Sequence, residues 1–173
     1  KRQAAAGAFS EAVVAELGRL AMAKTVFQVA VRPAEAGGDP GAAAFEQCLL
    51  TPRGMDSCEL LLSPNAGEEV KPLAKIASGG ELSRVMLAIK RALAKTDPVP
   101  TYVFDEVDSG IGGAVAEVVG RLLKEVSRER QVLCITHLPQ IAACAEVHFT
   151  VEKKVWDGRT FSKVESLTPA ART

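Results

Sequence analysis

Two short apolar runs, Thr101-Tyr102-Val103-Phe104 and Val132-Leu133-Cys134-Ile135-Thr136, flank a segment at 113–127 in which Val115, Val118, Val119, Leu122, Leu123 and Val126 recur at helical spacing. A strand, a helix and a strand of these lengths favour one topology, parallel neighbours joined by a right-handed crossover. Ligands of such sheets bind beyond the carboxyl ends of the strands. The residues standing at those ends are Asp105-Glu106 and Thr136-His137, so chemistry is expected there.

The remaining elements are read around this unit. Phe9, Val13, Leu17 and Leu20 make one apolar stripe on a helix at 4–23. Residues 25–32 alternate as a half-buried strand, with Phe27, Val29 and Val31 on one side. The Gly- and Pro-rich stretch 33–41 is a loop. Strands are expected at 45–50 and 58–62, joined as antiparallel neighbours by the turn residues of 51–56, followed by a polar loop at 63–72. Leu82, Val85, Met86, Ile89 and Leu93 place a helix at 79–94, stopped by Asp97-Pro98. Pro139 opens a short helix, and strands at 148–153 and 160–167 flank the turn at Trp156-Asp157-Gly158.

Composition narrows the function. With 173 residues, 47% hydrophobic and 24% charged, the chain can build one core, or one core with a small appendage. Its 21 basic and 21 acidic residues cancel, so it lacks the broad basic footprint of a dedicated nucleic-acid-binding domain. No apolar run approaches a membrane span, and Lys1-Arg2-Gln3 leads into an alanine-rich helix instead of a signal peptide. Cys48, Cys58, Cys134 and Cys144 have no CxxC spacing and pair with neither His137 nor His148 as zinc ligands would. A cytoplasmic protein with reduced thiols, no zinc and no membrane contact is expected. Its start within a helix suggests a piece of a longer chain.

Each chemical candidate has a plain alternative. Ser78-Gly79-Gly80-Glu81 ahead of an apolar helix is a capping box. The same residues offer free amides and a helix dipole to an anion, with glycines that allow close approach, and the two roles are compatible. Asp105-Glu106 could be a surface turn; as a functional pair, the first acid holds Mg²⁺ and the second orients or deprotonates water in phosphoryl transfer. His137 could be a hydrogen-bonded loop residue, and Asp108-Ser109-Gly110 no more than a turn. What favours function is that a glycine-rich helix start, a carboxylate pair and an imidazole converge on one edge. Lys90, Arg91, Lys95, Lys124, Arg128 and Arg130 are read as solvated helix faces and ends.

These motifs match a family. Ala77-Ser78-Gly79-Gly80-Glu81 resembles the signature of ABC-type ATPases, 102–106 the Walker B strand, Val107-Asp108-Ser109 the D-loop and Thr136-His137 the switch histidine, all in the family's order. The wording of 73–84, 104–111 and 136–142 is similar to that of SMC-like bacterial DNA double-strand-break repair ATPases, and the resemblance is strong over about 63–152. Ala77 replaces the leucine and Glu81 the glutamine usual in transporters, which suits SMC-like proteins better. The Gly-x-x-x-x-Gly-Lys-Ser/Thr phosphate loop is absent from the chain.

The resemblance implies an α/β fold: one lobe of a P-loop NTPase-like ABC ATPase head, mainly parallel sheet with flanking helices plus a small antiparallel part. Residues 1–24 would be the returning end of a coiled coil and 25–173 the carboxyl-terminal lobe. It implies ATP and Mg²⁺ as cofactors, with Asp105 on the metal, Glu106 activating water and His137 on the γ-phosphate. Ser78, Gly79, Gly80 and Glu81 would meet ATP held by a second head in an ATP-dependent homodimer, with Asp108 acting across the same interface. The implied partners are the amino-terminal lobe of the same protein, which carries Walker A, and DNA through the full-length protein. A transporter fragment or a non-enzymatic α/β module are the other readings. The strands and the 63–72 loop leading into the signature, in place of a helical subdomain, favour the SMC-like one.

Overall fold

The computed structural model describes residues 1–35, 44–45, 48–65, 67–76 and 78–172. In chain order these form α1 (Arg2–Arg19), β1 (Val26–Pro33), β2 (Ala44–Phe45), β3 (Cys48–Leu49), β4 (Asp56–Ser63), β5 (Lys71–Pro72), α2 (Gly79–Ala92), β6 (Thr101–Phe104), α3 (Gly113–Ser127), β7 (Gln131–Cys134), α4 (Pro139–Ala142), β8 (Phe149–Trp156) and β9 (Arg159–Ser166). Part of the loop expected at 33–41 and part of the strand expected at 45–50 lie outside the described residues.

The apolar stripe of α1 does what its spacing predicts. Val13, Leu17 and Leu20 are fully buried, while the first turn is exposed. Phe9 meets the ring of Phe27 edge-on at 5.9 Å. The strand partner of β4 differs from expectation: β4 pairs with β1, placing Phe27 opposite Leu62 and Val29 opposite Leu60, and its other edge takes β5. The β1 pairing aligns the two strands' apolar faces and seals Phe27 and Leu62 into the core. The short β2 and β3 pair with each other instead. Lys71–Pro72 thus turns part of the expected 63–72 loop into strand.

Helix α3 and strand β6 have the bounds their patterns predict. Strands β6 and β7 are parallel, with Tyr102 beside Val132 and Phe104 beside Cys134. Tyr102 and Phe104 point inward, toward a core that includes Val119, Leu122 and Val126 of α3. On the other face Val103, Leu133 and Ile135 are 66%, 47% and 60% exposed. Helix α4 presses against α3 at Gly120, where an added Cβ would stand 2.8 Å from Cys144 Sγ and 3.2 Å from Gln140 O. The hairpin β8–β9 turns through Asp157 and Gly158, both at positive φ (49° and 70°), the conformation that two-residue hairpin loops require.

The α/β class stands, but among the described residues the parallel part is a single pair and the other strand pairs are antiparallel. Among the described residues there is one helical crossover between parallel strands, and short turns join only antiparallel neighbours.

Three of the basic residues read as solvated are engaged. Arg91 bridges Glu16 of α1 and Glu125 of α3, each at 2.7 Å, tying three helices together. Arg130 donates to Ala94 O and Asp97 O. Lys90 pairs with Asp97 at 2.6 Å. That hydrogen bond, backed by the Val99 N–H, pulls the Asp97 carboxyl from its ordinary 3.8 to about 2. A depressed carboxyl stabilises the fold above its ordinary range and loses that contribution as pH falls through its folded value. The melting-temperature advantage of the native chain over Lys90→Met is therefore expected to be full at pH 6 and to vanish between pH 3.8 and about 2, as thermal melts across that range would show.

Candidate functional site

Helix α2 starts where the sequence places it. Ser78 is the N-cap, in extended conformation, and its Oγ accepts the Glu81 N–H at 3.4 Å. Ala77 lies outside the described residues. The two glycines answer a demand that sequence alone does not show, because the turn after β6 runs against them. A Cβ on Gly79 would collide with the Glu106 carboxylate. A Cβ on Gly80 would sit 2.6 Å from Ser109 Cβ, 3.0 Å from Ser109 O and 3.1 Å from Glu106 O. The helix start and the acid pair, 22 or more residues apart in sequence, are thus in contact.

The turn itself is tightly held. Asp105 Oδ1 accepts the Glu106 N–H at 2.9 Å. Glu106 takes the left-handed backbone region, φ 56°, which costs a non-glycine residue on the order of 1–3 kcal/mol and persists only where the surroundings impose it. They do so here from α2. Ser83 Oγ donates to Asp105 O at 2.6 Å, and Arg84 Nη1 donates to Ser109 O at 2.8 Å and Val107 O at 3.4 Å. Neither Ser83 nor Arg84 was singled out as a site residue from sequence. A signal existed for Arg84: it shares a helix face with Leu87 and Ala88, both fully buried, where a solvated cation has no place.

At the end of β7, Asp108 joins the two strand ends. Its carboxylate is 5% exposed, and Oδ2 accepts from Thr136 Oγ1 at 2.5 Å and from the His137 N–H at 3.0 Å. His137 Nδ1 stands 3.1 Å from the same oxygen, with the imidazole 76% exposed. Burial pushes the Asp108 carboxyl up, but the Thr136 hydroxyl and His137 N–H outweigh it and hold it below its ordinary value. Its carboxylate, expected to act across an interface, is engaged within its own chain. Partial burial, with Asp108 and Asp105 nearby, pushes the Cys134 thiol up to about 11, so it packs as a small half-buried hydrophobe and is no nucleophile.

All the candidate residues from sequence therefore gather on one edge, with Asp108 and Gly80 buried beneath it: Ser78, Gly79, Gly80 and Glu81 at the helix start, Asp105, Glu106 and Asp108 after β6, and His137 after β7. The edge is open. Two concavities lie elsewhere, one between α1 and β1 and one beside Arg19 and Val118. Among the described residues no three His, Cys, Asp or Glu side chains cluster to hold a metal. One exposed carboxylate at a strand end fits Mg²⁺ nonetheless, because Mg²⁺ takes one or two protein carboxylates and completes its shell with phosphate and water. The glycine-lined helix start, exposed at Ser78 and Gly79, suits a phosphate. Among the described residues no helix is long and apolar enough to cross a membrane, and no disulfide joins the cysteines.

Known proteins carry the same pattern. The family profile described as the RecF/RecN/SMC N terminal domain matches residues 21–157. The chain is 49% identical over 154 residues to the DNA repair protein RecN of Streptomyces coelicolor and 44% identical over 155 residues to that of Bacillus subtilis. Each alignment covers 88% of this chain but only 26% and 27% of those relatives, so the chain spans about a quarter of their length. Among solved structures, the Smc head domain with a coiled coil and joint from Pyrococcus yayanosii is similar at TM-score 0.59 and 26% identity, over 96% of this chain and 28% of that one. An SMC ATPase studied for ATP-driven dimerization and DNA-stimulated activation is similar at TM-score 0.50 and 25% identity, over 99% of this chain and 92% of that one. The fold is that of SMC heads, and the chain belongs to the RecF/RecN/SMC family.

Proposed function

We propose that this chain is the carboxyl-terminal lobe of an SMC-like ATPase head, which binds and hydrolyses ATP across a head-head interface in double-strand-break repair and recombination. The observation that carries the reading is the contact of the signature helix start with the Glu106 carboxylate at Gly79. It puts an anion-binding element and a candidate base on one open edge. Residues 1–24 are the returning end of a coiled coil and 25–173 the lobe. The exposed first turn of α1 and the buried stripe of Val13 and Leu17 in its second half suit a helix that enters the head from outside.

The roles follow from position. Ser78, Gly79, Gly80 and Glu81 offer the amino end of α2 to the γ-phosphate of ATP on a second head, and Ser78 caps that end. Glu106 takes a proton from the attacking water. Asp105 would hold Mg²⁺, which when bound neutralises phosphate charge. His137, its ring exposed, contacts the γ-phosphate. Ser109 and Gly110, both exposed, face the partner head.

The phosphate loop comes from the amino-terminal lobe of the same protein. The bare apolar face of Val103, Leu133 and Ile135 supports that partner, since parallel strands are ordinarily covered on both faces. With zero net charge, this lobe leaves DNA binding to the full-length protein, in the bacterial cytoplasm at the nucleoid. In the assembled head, Ser78→Arg is expected to abolish ATP-dependent dimers in light scattering, at a cost of about 1 kcal/mol from the lost cap. Dimers that form as before would remove the signature from the interface.

A further inference from the structure

We propose that Arg84 is a positioning residue, which reaches from the body of the signature helix to hold the backbone that aims Glu106. The significance of this role rests on the reading of Glu106 given above. Arg84 is 7% exposed, yet among the described residues no carboxylate hydrogen-bonds to its guanidinium. Its acceptors are two neutral carbonyls, Ser109 O and Val107 O, and its buried Nε has no partner among the described residues. Burial lowers its pKa, against the attraction of Glu81.

For packing alone this is a poor choice, because a buried charge without a carboxylate partner costs more than an apolar side chain of the same volume. What arginine supplies is reach and rigid donors. The two carbonyls flank Asp108 and follow Glu106, whose left-handed backbone must be imposed from outside. Ser109 N–H closes the turn on Glu106 O at 3.0 Å. Arg84 therefore grips the far side of the turn, while Ser83 grips Asp105 O on the near side. Both grips come from α2, so the helix whose start meets the phosphate also sets the direction of the base.

Amide hydrogen exchange on the 173-residue chain tests the grip without any nucleotide. In Arg84→Met, the Ser109 amide is expected to exchange at least about tenfold faster, while Val119 and Leu122 amides in α3 keep their rates. Arg84→Lys, with one ammonium for two carbonyls, should fall between. In the assembled head, Arg84→Met should lower kcat about tenfold or more, as misplacement of a reacting group does, and leave KM for ATP and head association unchanged. An unchanged Ser109 rate would overturn the proposal. So would a faster Ser109 rate with native kcat, or a uniform rise in exchange that Arg84→Lys shares. A native assembled head without ATPase activity would sink the ATPase reading instead, and the exchange result would still report whether Arg84 holds the turn.

Discussion

Glu106→Gln in the assembled head is expected to slow ATP turnover by a factor on the order of 10² to 10⁴, the range a general base contributes, while ATP still draws heads together. Glutamine keeps the volume of the side chain and tolerates the same left-handed backbone, φ 56°. Its N–H can still donate to Asp105 Oδ1. What it lacks is the basic lone pair. Steady-state hydrolysis and light scattering on the same preparation separate the two effects. Unchanged turnover would remove Glu106 from the chemistry, and loss of both turnover and association would point to a collapsed turn.

The second large effect lies at Gly80. A valine there would drive its branched side chain into Ser109 and the backbone carbonyls of Glu106 and Ser109, already 3.0–3.1 Å from a single added carbon. Backbone cannot rotate aside, so the expected destabilisation is about 3 kcal/mol, at the upper end of overpacking. That corresponds to a melting temperature roughly 6–12 °C lower in a chain of this size. Gly79→Ala makes the contrast. Its obstacle is the far end of the exposed Glu106 side chain, which can swing away, so stability should move by less than about 1 kcal/mol while turnover falls. Equal melting temperatures for Gly80→Val and the native chain would refute the close approach of helix and turn.

Much of this edge was legible because local patterns settle it. The helix at 113–127 and the strand at 101–104 are bounded by strong punctuation and clear periodicity, and the structure reproduces both bounds. Once β6 and β7 are parallel, Asp105, Glu106 and His137 must emerge at the same edge. The β8–β9 hairpin was legible from Asp157-Gly158 for the same local reason. Pairing over distance was not. That β4 joins β1 and leaves β2 and β3 to each other depends on which apolar faces bury together, and no local run encodes that choice. The same limit hid Arg91, whose partners Glu16 and Glu125 lie on other helices. It hid the engagement of Asp108 with Thr136 and His137, which only the alignment of two strand ends reveals. The glycines of the signature serve the chain's own turn as well as a ligand, since an added Cβ at either would meet Glu106 or Ser109.

The most direct test of the central claim is Mg²⁺-dependent ATP hydrolysis by this chain alone and mixed with the amino-terminal lobe of its parent protein, with Glu106→Gln as control. The account predicts no turnover from the chain alone and Glu106-dependent turnover from the mixture. Glu106-dependent turnover by the chain alone, or none from a mixture in which the two lobes have assembled, would contradict it.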